Sequence, residues 1–178
     1  NDFRDKTVAR FTQEQAVKIE VQREDGQNFV LTRGADKKWA INKPGEGVFS
    51  DIITSQLITA LSDLRGYEIV AENPASLLPY RLTPPTASFV VSDESGTKLS
   101  TVLIGQKDEE ETKKAFALAE GGKTVFALRD YVFDRLNKVP ADFWEKPAEK
   151  VEGKEANNVP EGLPEPEEED FLDEEEHD

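Results

Sequence analysis

The first part of the chain alternates between apolar and polar residues with a period of two. Val17, Ile19 and Val21 are separated by polar residues, a pattern typical of a strand with one buried face. An Asp-Gly pair follows, and these residues tolerate the positive φ angles of a tight hairpin turn. Two more short apolar stretches complete the pattern, so residues 16–42 are predicted to form a three-stranded meander.

After Ser50 the period changes to that of a helix. Large apolar residues recur at helical spacing through residues 53–64, which predicts an amphipathic helix with one apolar stripe. Ser50 is predicted to be the N-cap, because its hydroxyl can accept a hydrogen bond from a free backbone N–H of the first turn. Gly66 is predicted to end the helix.

The second half of the chain follows the same order of elements. Strands are predicted at 87–92, 98–104, 114–119 and 123–128, and Asp130 is predicted to cap a short helix that runs to Leu136. The order suggests an internal duplication, with units at about 15–72 and 86–137. Antiparallel strands with helices to one side predict an α+β fold built mainly of antiparallel sheet.

A proline-rich connector joins the two predicted units. It contains four large apolar residues, which we expect to pack over an edge or an end of the sheet: Leu77, Leu78, Tyr80 and Leu82. After the second unit the pattern fades, and Phe143 and Trp144 are expected to be the last residues that pack. Trp39 is expected to be a core residue because it alternates with Ile41.

The charge divides the chain into two parts. The net charge is −15, and residues 147–178 hold fourteen acidic residues and two lysines. Residues 1–146 retain 23 of the 37 acidic and 20 of the 22 basic residues, so they are nearly balanced. We therefore predict an α+β domain over residues 1–146 and a disordered, acidic, Pro/Glu-rich tail over 147–178.

The same composition disfavours several kinds of partner and site. A nearly neutral body with a polyanionic tail disfavours nucleic acid and anionic lipid as partners. The absence of Cys excludes thiolate metal sites, disulfides and Cys nucleophiles, and no cofactor is expected. No apolar run approaches the roughly 20 residues of a membrane span, so any membrane anchor or signal peptide is expected upstream of Asn1.

Catalytic chemistry finds little support in the residues. The single histidine, His177, lies in an acidic run near the end of the sequence, whereas a catalytic or metal-binding imidazole needs a supporting partner. Paired carboxylates occur at Asp93/Glu94 and at 108–111, but both pairs lie in predicted turns or loops. We expect no catalytic or metal-binding residues, and a carboxylate-dependent hydrolase remains the less favoured alternative.

The acidic tail contains one apolar pair, which is the candidate partner-binding motif. Phe171 and Leu172 are flanked by Glu168, Asp170 and Asp173. Acidic residues around an apolar pair are typical of a short linear motif, because charge speeds the encounter and the apolar pair provides the anchor. The alternative interpretation is a tail that only solvates the protein.

Five stretches together resemble the domain of unknown function 4340 family: 39–44, 53–64, 79–85, 102–105 and 123–128. The resemblance covers about residues 15–137. In that family the tyrosine stretch usually reads Tyr-Gly-Leu, and here Arg81 replaces the glycine. The resemblance implies an extracytoplasmic domain of bacteria, often tethered by an amino-terminal anchor, with some relatives in transporter or gliding-type surface machinery. It implies no catalytic residues.

These observations lead to one expected function and one further alternative. We expect a non-enzymatic binding or assembly module of a larger, membrane-associated extracytoplasmic complex, with protein partners contacted through the acidic tail. The alternative is a soluble regulatory protein whose tail binds a basic partner.

Overall fold

A computed structural model describes residues 3–107 and 114–145. These residues contain twelve strands and two α-helices. The elements are β1 (Thr7–Arg10), β2 (Lys18–Arg23), β3 (Phe29–Arg33), β4 (Trp39–Ile41), β5 (Val48–Phe49), α1 (Asp51–Ser62), β6 (Asp63–Arg65), β7 (Glu68–Glu72), β8 (Ala87–Ser92), β9 (Lys98–Lys107), β10 (Lys114–Ala119), β11 (Thr124–Leu128), α2 (Asp130–Leu136) and β12 (Trp144–Glu145).

One eight-stranded sheet dominates the structure. Its strand order is β4-β3-β2-β8-β9-β10-β11-β7, and every neighbouring pair is antiparallel. The two predicted meanders are joined by β2 and β8, where Ile19 lies opposite Val91. The predicted α+β fold with mainly antiparallel sheet is confirmed.

Both helices contribute to the main core. Leu57 and Leu61 of α1, and Phe133 and Leu136 of α2, are almost completely buried in the same apolar cluster as the inward side chains of the sheet. Burying one such side chain stabilises the fold by about 1.5–3 kcal/mol. The helical stripe is therefore core, as its period predicts.

The helix ends differ from the prediction by a few residues. Ser50 is the N-cap of α1, and its hydroxyl accepts a hydrogen bond of 3.3 Å from the amide of Ile53. However, α1 ends at Ser62, because the next three residues form β6 and pair with β1. Gly66 has another role: a Cβ atom there would lie 2.6 Å from Cβ of Phe126. Asp130 is the first residue of α2, and Arg129 occupies the cap position.

The proline-rich connector packs on a face of the sheet, and the prediction of an edge or an end is wrong. Leu82 is buried in a second apolar cluster with side chains of β10 and β11, and Leu77 and Tyr80 pack against it. Leu78, in contrast, is 66% exposed. The connector covers this face because β10 and β11 direct large apolar side chains to it, on the side of the sheet away from the main core.

The connector crosses the sheet at Gly105 of β9. A Cβ atom built on Gly105 would lie 2.3 Å from the carbonyl oxygens of both Tyr80 and Arg81. Arg81 itself has left-handed backbone angles, φ 54° and ψ 38°. Glycine adopts this conformation at little cost, which explains why the family that the chain resembles usually has glycine at this position.

The last described residues also pack. Phe143 is fully buried, and its ring lies 5.1 Å from that of Phe29, centroid to centroid. Trp144 is half-buried and contacts Phe49 edge-to-face. Trp39 is likewise half-buried, packing against the main core and not within it. The predicted tail, 147–178, lies outside the described residues.

None of the helices in the described ranges is long and apolar enough to cross a membrane.

Candidate functional site

The five residues of the predicted partner-binding motif lie outside the part of the chain that the structure describes. These are Glu168, Asp170, Phe171, Leu172 and Asp173. His177 lies outside it as well. The tail motif therefore stays a prediction.

The carboxylate of Asp93 stabilises the turn between β8 and β9. One of its oxygens accepts hydrogen bonds from the hydroxyl of Ser95 at 2.7 Å and from the amides of Ser95 and Thr97 at 2.9 Å each. The hydroxyl of Ser95, followed by the amide of Thr97, lowers the pKa of Asp93. A general acid requires a raised pKa, whereas the lowered pKa of Asp93 results from its hydrogen bonds within the turn. The second candidate pair, 108–111, lies outside the described residues.

Within 3–107 and 114–145, no three or more His, Cys, Asp or Glu side chains are grouped so that they could hold a metal ion.

An exposed surface of a different kind lies where β7 and α2 begin. A concavity of about 470 Å³ separates the two elements. We define the tyrosine–arginine surface as Tyr67, Lys114, Arg129, Tyr131 and Arg135. Tyr67 is 43% exposed and Tyr131 is 59% exposed.

Backbone hydrogen bonds fix both sides of this surface. The amide of Tyr67 donates to the carbonyl of Ala127 at 3.0 Å, which holds the tyrosine backbone against β11. The carbonyl of Arg129 accepts from the amides of Val132 and Phe133 at 3.0 and 3.1 Å. Because the side chain of Phe133 is buried in the main core, the start of α2 cannot move independently of the sheet.

Each tyrosine ring is paired with a guanidinium group. The guanidinium carbon of Arg129 lies 5.4 Å from the ring centroid of Tyr67, and that of Arg135 lies 5.6 Å from that of Tyr131. Such pairs stabilise exposed sites by about 0.5–1 kcal/mol. They restrict the rotation of the two exposed rings, and side chains that are already ordered lose less entropy on binding. The concavity also has the charges of Lys114 and Asp130 in its lining.

A comparison with known families gives a match over residues 51–177, to the model described as Domain of unknown function (DUF4340). The chain belongs to this family. No curated protein and no solved structure matches it significantly. The DUF4340 match begins at α1, later than the resemblance at about residue 15 suggests, and it contains all five residues of the tyrosine–arginine surface.

Only part of this DUF4340 surface could be found from the sequence. Tyr131 and Arg135 are four residues apart at the start of a predicted helix, a spacing that places two side chains on one face. The pairing of Tyr67 with Arg129 leaves no such trace, because it depends on β7 lying beside β11.

Proposed function

We propose that this DUF4340 domain is a non-enzymatic binding or assembly module of a larger, membrane-associated extracytoplasmic complex, and that its tyrosine–arginine surface contacts a protein partner. The supporting observation is the pair of exposed tyrosine rings, each stacked with an arginine. Tyr and Arg are among the residue types that contribute most to the energy of protein interfaces, where truncation of a central residue costs about 2 kcal/mol or more.

The chemistry of the surface suits a protein better than a small metabolite. Aromatic rings offer apolar area at low conformational entropy cost, and guanidinium groups offer several fixed donors. A partner with backbone carbonyls or carboxylates beside apolar side chains matches both features. We propose no reaction for this surface.

The acidic tail supports a second contact in the same proposal. Residues 147–178 contain fourteen of the 37 acidic residues of the chain, and Phe171 and Leu172 provide an apolar anchor within them. The same composition favours the alternative function, a soluble regulatory protein that binds a basic partner through its tail. The two functions differ in whether Tyr131 matters for binding.

The extracytoplasmic location rests on the family resemblance. We propose that an anchor upstream of Asn1, or a partner, holds the domain at the membrane. Protease digestion of intact cells and of permeabilised cells tests this location: the full-length protein should be digested once the outer barrier is opened, while a cytoplasmic marker stays intact. Digestion only after lysis of the cytoplasmic membrane contradicts it.

Recovery of the native complex tests the assembly role. The full chain is tagged, expressed at its natural level, cross-linked, and purified with its partners. Tyr131→Ala and Arg129→Ala should each lower partner recovery at least tenfold, whereas Leu78→Ala and Arg81→Ala, which truncate exposed residues elsewhere, should not. Loss with the tail variant Phe171→Ala/Leu172→Ala alone favours the regulatory alternative. Equal recovery with every variant contradicts both functions.

A further inference from the structure

A second concave site lies between the β3–β4 hairpin and α1, and it shares no residue with the tyrosine–arginine surface. The groove has a volume of about 390 Å³. Its lining includes three cationic side chains and an indole ring from the hairpin, two carboxylates, and apolar and hydroxyl groups of α1. The charged and aromatic groups are Glu14, Arg33, Lys37, Lys38, Trp39 and Asp51.

The cations of the groove differ in how they are held. The guanidinium carbon of Arg33 lies 5.9 Å from the centroid of the Trp39 ring, and Arg33 also donates to the backbone carbonyl of Glu14. The side chains of Lys37 and Lys38 form no ion pair or hydrogen bond with any residue that the structure describes. Two ammonium groups are thus available beside a fixed guanidinium group.

The backbone of Lys37 distinguishes the β3–β4 turn from the other described hairpin turns of the large sheet. Lys37 has φ 63°, in the left-handed region, and closes a turn in which the amide of Gly34 donates to the carbonyl of Lys38 at 2.9 Å. The three other described hairpin turns of the large sheet place glycine at positive φ, at Gly26, Gly96 and Gly121. Glycine avoids the steric penalty of this conformation.

The difference between the four turns points to a role for the lysine side chain. A non-glycine residue in the left-handed region costs stability and persists where the surroundings or a function retain it. Nothing that the structure describes pairs with the ammonium group of Lys37, so no described contact explains why lysine and not glycine occupies this position. A ligand in the groove would supply a partner for this ammonium group.

We infer that the groove binds a carboxylate of an acidic peptide segment of a protein partner. The carboxylate lies between Lys37 and Lys38, and an adjacent apolar side chain of the peptide packs against Trp39 and Ile58. The lining holds three cations against two carboxylates, Glu14 and Asp51. The lining thus carries one net positive charge, which a single carboxylate neutralises, whereas a doubly charged phosphate would leave the occupied groove with a net negative charge.

The inference is tested with a set of synthetic peptides and the full chain. The peptides share one sequence with Phe beside a central position, have blocked ends, and carry Glu, Gln or phosphoserine at that position. A fourth peptide has Gln at the centre and a free carboxyl end. Binding is followed through the amide resonances of ¹⁵N-labelled protein at increasing peptide concentration.

The Glu peptide should shift the amide resonances of residues 34–39 and 54–58. The Gln peptide should bind at least tenfold more weakly, because a charge-assisted hydrogen bond is roughly twice as strong as a neutral one. Tight binding of the fourth peptide supports the carboxylate and assigns it to a chain end. Equal binding of the Glu and Gln peptides, tighter binding of the phosphoserine peptide, or shifts outside the groove would overturn the inference.

Lys37→Gly is the matched variant, because glycine fits the left-handed turn and only the ammonium group is lost. Its unfolding free energy should equal or exceed that of the wild type, while its affinity for the Glu peptide should fall about tenfold. Lys123→Gln, in the β10–β11 turn, is the control and should leave the affinity unchanged. Unchanged affinity in Lys37→Gly, with the fold confirmed by its spectrum, would also overturn the inference.

Discussion

Gly105→Ala should be one of the most destabilising single substitutions in the domain. The methyl group would lie 2.3 Å from two carbonyl oxygens of the connector, those of Tyr80 and Arg81. Both groups belong to the backbone and cannot rotate away as a flexible side chain could. Gly105 does not have a positive φ, so the whole effect comes from this contact.

The magnitude follows from what the connector covers. Adding a methyl group to a packed site costs about 1–3 kcal/mol. Moving the connector outward also exposes Leu82, whose burial contributes about 1.5–3 kcal/mol when complete. We expect a loss of about 3 kcal/mol of unfolding free energy, which corresponds to about 6–12 °C in Tm for a protein of this size.

Equilibrium urea unfolding, followed by circular dichroism, measures this loss. Ser100→Ala is the control on the same strand: Ser100 is half-buried and its hydroxyl has no hydrogen-bond partner in the described residues. The control should stay within about 0.5 kcal/mol of the wild type. If Gly105→Ala also stays within that margin, the close approach of connector and strand is wrong.

Three other predictions concern the backbone, the pH dependence and the tail. Arg81→Gly should raise the free energy of unfolding, measured in urea, by up to about 1 kcal/mol. Relief of the left-handed backbone strain outweighs the loss of the exposed ion pair with Glu24 and the greater entropy of the unfolded chain. A decrease of more than about 1 kcal/mol contradicts this. The lowered pKa of Asp93 means that its stabilising effect is present above the unfolded pKa of about 4 and disappears as the pH falls through the lower folded pKa. The stability gap between wild type and Asp93→Asn should therefore close in acid urea titrations, and a gap that is constant with pH refutes it. Deleting residues 147–178 should change Tm by only a few degrees, while Phe171→Ala/Leu172→Ala should weaken partner binding in a pull-down; a much lower Tm, or unchanged binding, contradicts the role of the tail.

The elements that could be predicted from the sequence are those with a period of their own. The alternation at Ile19 and Val21 and the stripe of α1 report local geometry, because each position repeats after two residues or one helical turn. The short strands β1, β5, β6 and β12 have two to four residues each. Such segments carry too few positions to show a period, and they exist only because a distant segment pairs with them.

The two proposed interaction sites were harder to predict for the same reason. The tyrosine–arginine surface requires β7 to lie beside β11. The groove between the β3–β4 hairpin and α1 requires Lys37 to lie across from α1. The family resemblance supplied one long-range hint, since its 79–85 and 102–105 stretches meet at Gly105 in the structure. Without the fold, nothing in these two stretches indicates that they are in contact.

The position of β7 determines how the domain can be divided. In sequence, β7 ends the first predicted unit, but it pairs with β11, the last strand of the second unit, at the far end of the sheet from β4. Both outer strands of the sheet, β4 and β7, therefore belong to the first unit, and the four strands of the second unit lie between β2 and β7. The first unit cannot pair all of its strands alone, because β7 has a neighbour only in β11 of the second unit. We therefore expect the two units to unfold in one cooperative transition, and a cut within the connector to leave β7 dependent on association with the second unit.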